Sequence, residues 1–208
     1  MSALASTPAA PPARPGRRAP VDAVVVGGSA GALEALQTLL PALPAGYAAA
    51  VVVVVHMQRQ RPSLLTEVFA PRCALPVREA QHGAPVEAGA IVFAPPDYHL
   101  LIDAGPRLCL SVDAPLHFSR PAIDVLFESA ADQFGERLIG VLLSGANADG
   151  AAGLATIGRL GGLTMVQSPA SAQAPTMPQA GLAAWGVDYV LPPAGLAAAL
   201  VQQVQRAP

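Results

Sequence analysis

Three short stretches of this sequence carry side chains suited to nucleophilic chemistry. Gly27-Gly28-Ser29-Ala30-Gly31 matches G-x-S-x-G directly after the apolar run Ala23–Val26. On a strand-to-helix turn that pattern lifts a serine hydroxyl above the sheet, and free N–H groups at the helix start can hold an oxyanion. The same turn is compatible with a phosphate cradle or with a purely structural role. A dinucleotide turn, however, needs a glycine where Ser29 stands and an acid at the end of the second strand, and the sequence delivers His56 there instead. His56 follows five valines. A histidine at a strand end is as a rule packed or solvated, and the functional alternative is a general base for Ser29. The third stretch is Ser144-Gly145-Ala146-Asn147-Ala148-Asp149-Gly150. Asp149 reads either as a helix N-cap before a permissive glycine or as the acid that orients His56 and stabilises its cation. A calcium loop is excluded, because Gly145 stands where the EF-hand pattern begins with Asp.

For these three residues to meet, the elements before them must end on one edge. Ala23–Val26 and Ala50–Val55 are continuous apolar runs rich in valine, the pattern of strands buried on both faces, and Leu138–Leu143 is a third. Leu33, Leu36, Leu39 and Leu40 recur at helical spacing until Pro41 and Pro44 stop them, giving a strand-helix-strand unit. Parallel strands in an open α/β sheet bind ligands at their carboxyl ends. Further helices are expected over Pro62–Phe69, Ala122–Phe134 and Ala151–Leu160, with Leu163–Gln167 as a last parallel strand. Between them, Pro76–Arg78, Ala90–Phe93, His99–Ile102 and Leu108–Val112 read as short strands, the last two as an antiparallel hairpin in a mixed-sheet excursion. The expected fold is an open, doubly wound, mostly parallel α/β sheet with an antiparallel hairpin excursion and helices on both faces.

Composition narrows the functions. The chain has 208 residues, 52% hydrophobic and 12% charged, with a net charge of -2. That provides no electrostatic surplus for gripping nucleic acid, and no apolar run approaches the ~20 residues of a membrane span. Cys73 and Cys109 are the only cysteines and lack metal-ligand spacing, so a reduced cytoplasmic setting is expected, with no metal and no cofactor. Residues 1–20, rich in alanine and proline, read as a flexible tail without a signal-peptide core, and residues 21–208 as one catalytic domain. His99 and His117 read as structural, and Arg59, Arg61 and Arg120 as solvated cations.

Seven blocks, taken in order, resemble the catalytic domain of the chemotaxis protein-glutamate methylesterases, the CheB family. They are Gly27–Gly31, His56-Met57, Val77–Ala80 with Gly83, Ala94–Leu100, Pro121–Phe127, Leu142–Gly145 with Asp149–Gly153, and Met177-Pro178. The resemblance covers about residues 22 to 202 and implies a triad of Ser29, His56 and Asp149, with the backbone N–H groups of Ala30 and Ala146 near the oxyanion. Two stretches depart from the family: Ser29-Ala30-Gly31-Ala32 replaces its Ser-Thr-Gly-Gly, and Ser144-Gly145-Ala146-Asn147 its Thr-Gly-Met-Gly. The implied activity is demethylation of glutamyl γ-methyl esters on the cytoplasmic helices of methylated chemoreceptors, with deamidation of glutamines. The alternatives are a non-catalytic scaffold for receptors or a methyltransferase, and an esterase or amidase with another substrate. Family members usually carry a receiver domain before the catalytic one. Here residues 1–20 contain no acidic residue, so switching by phosphorylation in cis is not expected, and the active edge is either permanently open or controlled by a separate partner such as a response regulator.

Overall fold

The computed structural model describes residues 19–57 and 63–205. Most of the expected N-terminal tail, Arg59, Arg61 and the start of the helix expected from Pro62 lie outside them. Seven strands form one sheet: β1 (Ala23–Gly28), β2 (Ala50–Val55), β3 (Val77–Glu79), β4 (Ile91–Phe93), β7 (Leu138–Leu142), β8 (Leu163–Gln167) and β9 (Tyr189–Leu191). Their order is β3-β4-β2-β1-β7-β8-β9, and every pairing is parallel. From β1 the chain passes to β2, then to the edge strand β3, fills the gap with β4, and crosses to β7 on the other side of β1. The strand order therefore reverses beside β1, the place where open α/β sheets form a ligand crevice.

Valine runs dominate the central strands because helices cover both faces. Val24, Val26, Val51 and Val53 join one buried cluster, while Val25, Val52 and Val54 join the other. The first face is covered by α1 (Ala32–Leu39), α2 (Leu65–Phe69) and α6 (Pro193–Gln205). The second is covered by α3 (Ile123–Phe134), α4 (Ala151–Arg159) and α5 (Thr176–Ala184). In α1 the buried positions are Ala32, Ala35, Leu36 and Leu39, whereas Leu33, expected on the apolar face, is exposed.

The middle of the chain differs from the mixed-sheet expectation. β3 and β4 belong to the parallel sheet, and β5 (His99–Asp103) pairs only with β6 (Arg107–Ser111) as a separate antiparallel hairpin. That hairpin lies against α3: Leu100, Ile102 and Leu108 are buried in the same cluster as Leu126 and Phe127, and Ser129 Oγ accepts the Ile102 N–H at 3.1 Å. Nor is β8 the last strand, since β9 pairs with it at the sheet edge before α6 closes the chain.

Candidate active site

The carboxyl ends of β1, β2 and β7 are tied together by backbone bonds that continue past the strands. His56 N–H donates to the Gly28 carbonyl at 3.1 Å, and Ser29 N–H donates to the Ser144 carbonyl at 2.9 Å. The three expected residues thus leave the sheet from adjacent strand ends. Ser29 and His56 line one cleft of about 630 Å³ with Leu33, Glu34, Met57 and Gln173. The exposure of Leu33 follows from its place in that wall.

The turn carrying Ser29 leaves little room. Gly31 has φ +78, a left-handed conformation that disfavours side chains, and an added Cβ would lie 2.5 Å from Gln173 Cβ and 2.8 Å from Ser144 Oγ. Ser144 is fully buried and pins the turn, donating to the Ala30 carbonyl at 2.7 Å and accepting the Ala174 N–H at 2.9 Å. Ser29 N–H is consumed by Ser144, so it cannot serve an oxyanion. The N–H groups of Ala30 and Ala146 donate to no acceptor among the described residues.

His56 Nε2 lies 2.7 Å from Asp149 Oδ2, with the histidine side chain 10% exposed and the aspartate 0%. Asp149 is therefore no solvent-facing cap of its own helix. It accepts instead the first N–H groups of α3, Ile123 at 2.7 Å and Asp124 at 3.0 Å, at the positive end of that helix dipole. Burial pushes the Asp149 carboxyl up, but the hydrogen bond from His56 and the two backbone donors outweigh it and hold the acid below the usual carboxylate range. An ionised Asp149 fixes the imidazole proton on Nε2 and leaves the lone pair on Nδ1.

Five residues outside the expected set shape the site. Asp124 is buried and accepts the Gly153 N–H at 2.7 Å, and its other oxygen lies 3.5 Å from His117 Nε2. Its carboxyl is raised to about 6: burial pushes it up most, the Gly153 N–H pulls it down, the charges of Asp149 and Glu128 push it up, and His117 lowers it. His117, Asp124 and Asp149 bring one potential metal-ligand atom each within 4.8 Å of one another, although the Asp149 oxygens already face His56 and two backbone donors. Ser119 Oγ lies 3.3 Å from His56 Nδ1. His99, read from sequence as structural, is a buried clip: Nδ1 accepts the Ala122 N–H at 3.2 Å and Nε2 donates to the Ala114 carbonyl at 3.1 Å. It holds the loop that carries Ser119 and opens α3. Arg120 is committed to Asp97 and to the Val112 and Asp113 carbonyls rather than to solvent.

A serine and an acid-paired imidazole on one cleft, at the carboxyl edge of a doubly wound sheet, form the layout that nucleophilic hydrolysis requires. Comparison with known proteins agrees at the level of family. Residues 24–200 match the CheB methylesterase family. A Leptospira interrogans relative, provisionally named a protein-glutamate methylesterase/protein-glutamine glutaminase, is 40% identical over 170 residues, 82% of this chain and 88% of its own. The Symbiobacterium thermophilum protein-glutamate methylesterase/protein-glutamine glutaminase is 38% identical over 189 residues, 91% of this chain and 52% of its own. The chain thus spans about half the length of that relative. The crystal structure of the Thermotoga maritima CheB methylesterase catalytic domain superposes with a TM-score of 0.85 at 29% identity, covering 88% of this chain and 99% of that one. The chain belongs to the CheB methylesterase family, and its parallel sheet, hairpin and surrounding helices are that family's catalytic fold. Among the described residues, no helix is long and apolar enough to cross a membrane.

Proposed function

We propose that this protein is a protein-glutamate methylesterase that hydrolyses glutamyl γ-methyl esters on the cytoplasmic helices of chemoreceptors, and deamidates glutamines there, through Ser29, His56 and Asp149. The observation that carries the reading is the 2.7 Å pairing of His56 with the buried Asp149, with His56 on the same cleft as Ser29. Ser29 Oγ attacks the ester carbonyl while His56 Nδ1 takes its proton, and the Ala30 and Ala146 N–H groups hold the oxyanion. Collapse expels methoxide, which leaves as methanol with the proton from Nδ1. Water, activated by the same nitrogen, then releases glutamate and restores Ser29. The family departures at Ala30 and Ala146 change side chains, whereas oxyanion binding uses backbone N–H groups, so they are compatible with turnover.

Methanol release from methylated receptor membranes is the direct test, with an activity-based fluorophosphonate probe as a second readout. Ser29→Ala is expected to lose a factor on the order of 10⁴ or more in rate and to abolish labelling. Full methanol release by that variant would refute the assignment. Labelling of neither protein, with no methanol from either, would favour the scaffold.

A further inference from the structure

In the proposed reaction, His56 has one nitrogen free for proton transfer. Nε2 faces Asp149 at 2.7 Å, so the neutral ring carries its proton there and offers a single lone pair at Nδ1. That lone pair is where the proton of Ser29 must go. In the structure it faces another hydroxyl, Ser119 Oγ, at 3.3 Å. Ser29's own hydroxyl donates to no acceptor among the described residues.

Ser119 is delivered to that position by a framed turn. Leu116 N–H donates to the Ser119 carbonyl at 3.2 Å, and Ser119 N–H returns a bond to the Leu116 carbonyl at 2.8 Å. Between them, His117 and Phe118 both adopt positive φ, 49 and 63. Arg120 anchors the far side on Asp97, and His99 clips the loop from Ala114 to Ala122. Within the turn, the same Ser119 Oγ lies 3.5 Å from the His117 carbonyl, a second acceptor for its proton. The hydroxyl can therefore turn from one acceptor to the other without backbone rearrangement.

We infer that Ser119 is a positioning residue for the triad base. In the free protein its hydroxyl occupies His56 Nδ1, and it turns to the His117 carbonyl when Ser29 engages the substrate. This inference rests on the triad reading above. The protons balance: Ser119 keeps its own throughout, while that of Ser29 passes to Nδ1 as the Oγ–C bond forms and the carbonyl electron pair moves onto oxygen. A hydroxyl that donates to Nδ1 has two effects. It stabilises the neutral ring, and it competes with Ser29 for the one lone pair. The other ionisable groups around the ring are Asp149 at Nε2, Asp124 behind it with His117, and Glu34 on the cleft wall. Exchange of Ser119 leaves all of them in place.

The test is the pH dependence of the second-order rate of fluorophosphonate labelling in wild type, Ser119→Ala and Ser119→Thr, with the labelled peptide mapped. Without the donated hydrogen bond the ring takes up a proton more readily, so the acid limb of Ser119→Ala is expected to move up by roughly half to one pH unit. Its plateau rate is expected to rise several-fold, on the order of one hydrogen bond's worth of competition. Ser119→Thr, which keeps the hydroxyl, is expected to follow the wild type. An acid limb that stays in place in Ser119→Ala, or a plateau that falls, overturns the inference while Ser29 is still the labelled residue. Labelling that survives Ser29→Ala refutes the triad reading instead, so the two failures are distinguishable.

Discussion

Replacing Asp149 by Asn removes one charge and turns one acceptor into a donor, and the structure decides which of two consequences prevails. Asp149 Oδ2 receives both His56 Nε2 and the Ile123 N–H, each at 2.7 Å, whereas Oδ1 receives only the Asp124 N–H at 3.0 Å. An amide whose oxygen takes the Oδ2 place leaves one buried N–H facing a donor; the flipped amide leaves Ile123 N–H so placed and forces His56 into the other tautomer. The first orientation is favoured, so the tautomer survives and the loss is electrostatic. With opposite charges about 4 Å apart and an effective dielectric near 20, the lost stabilisation of the imidazolium is about 4 kcal/mol, or roughly 10³ in kcat/KM. A wrong tautomer would cost about 10⁴. Stability should also fall. One unsatisfied buried donor costs about 1–3 kcal/mol, and loss of the anion at the N-terminus of α3 adds roughly 0.3–2. For a domain of this size each kcal/mol lowers Tm by roughly 2–4 °C. Methanol release and a thermal melt on the same preparation check both numbers. Activity within tenfold of wild type, with an unchanged Tm, would refute the reasoning.

Asp124, whose carboxyl is raised to about 6 chiefly by burial, binds its proton more tightly folded than unfolded, so the stability it contributes is full below about pH 4 and lost as pH rises through 6. Asp124→Asn keeps an acceptor for Gly153 and is expected to match wild type near pH 4 and to melt higher at pH 8, by at most about 3 kcal/mol; a constant difference across that range in melts would sink the assignment. Gly31→Ala is expected to destabilise the fold well beyond the ~1–3 kcal/mol of a left-handed residue, because its Cβ would meet Gln173 and Ser144, and to suppress labelling of Ser29. Gly46→Ala is the control: it shares φ +78 with nothing within 4 Å, so equal Tm losses for the two variants would contradict the packing argument. Ser144→Ala strands the part-buried Ala174 N–H and frees the Ala30 carbonyl, which should cost about 1–3 kcal/mol and slow methanol release through the Ser29 turn; wild-type rate and Tm would show that the hydroxyl does not pin the turn.

What was legible in the sequence is what repeats at short range. The valine run of β2 is bounded in the structure at Ala50 and Val55, as its composition indicates, because a strand buried on both faces admits no polar residue until it ends. Ser29, His56 and Asp149 share a property visible without coordinates: each follows such a run, and parallel strands bring their carboxyl ends together. The elements beyond that reach have weaker local signals. β9 is three residues long with only Tyr189 buried, and α6 is rich in alanine, so neither shows a clear apolar stripe. α5 carries Met177-Pro178 in its first turn and contains Gly181, residues that read as a break rather than a helix. Proline is tolerated in a first turn, and Gly181 allows close contact with Leu142 and Leu154.

Ser119 and Asp124 were illegible for a different reason. Ser119 meets His56 across 63 positions of chain, through a turn whose left-handed residues are His117 and Phe118 rather than the usual Gly or Asn. Nothing local in Leu116–Arg120 announces that turn; it is imposed by the His99 clip and the Arg120 anchor, both contacts at long range. Asp124 looks like an ordinary first-turn acid of α3, yet that first turn points into the protein because Asp149 caps it from another strand end. The α3 N-terminus thus serves the site twice: its N–H groups hold Asp149 ionised, and that ionised carboxylate fixes which imidazole nitrogen faces the cleft. The support behind the triad is therefore a property of where α3 docks, and Gly27 sets that docking: a Cβ there would lie 2.2 Å from Ile123 Cγ2, so only glycine at the end of β1 lets the helix start come down onto Asp149.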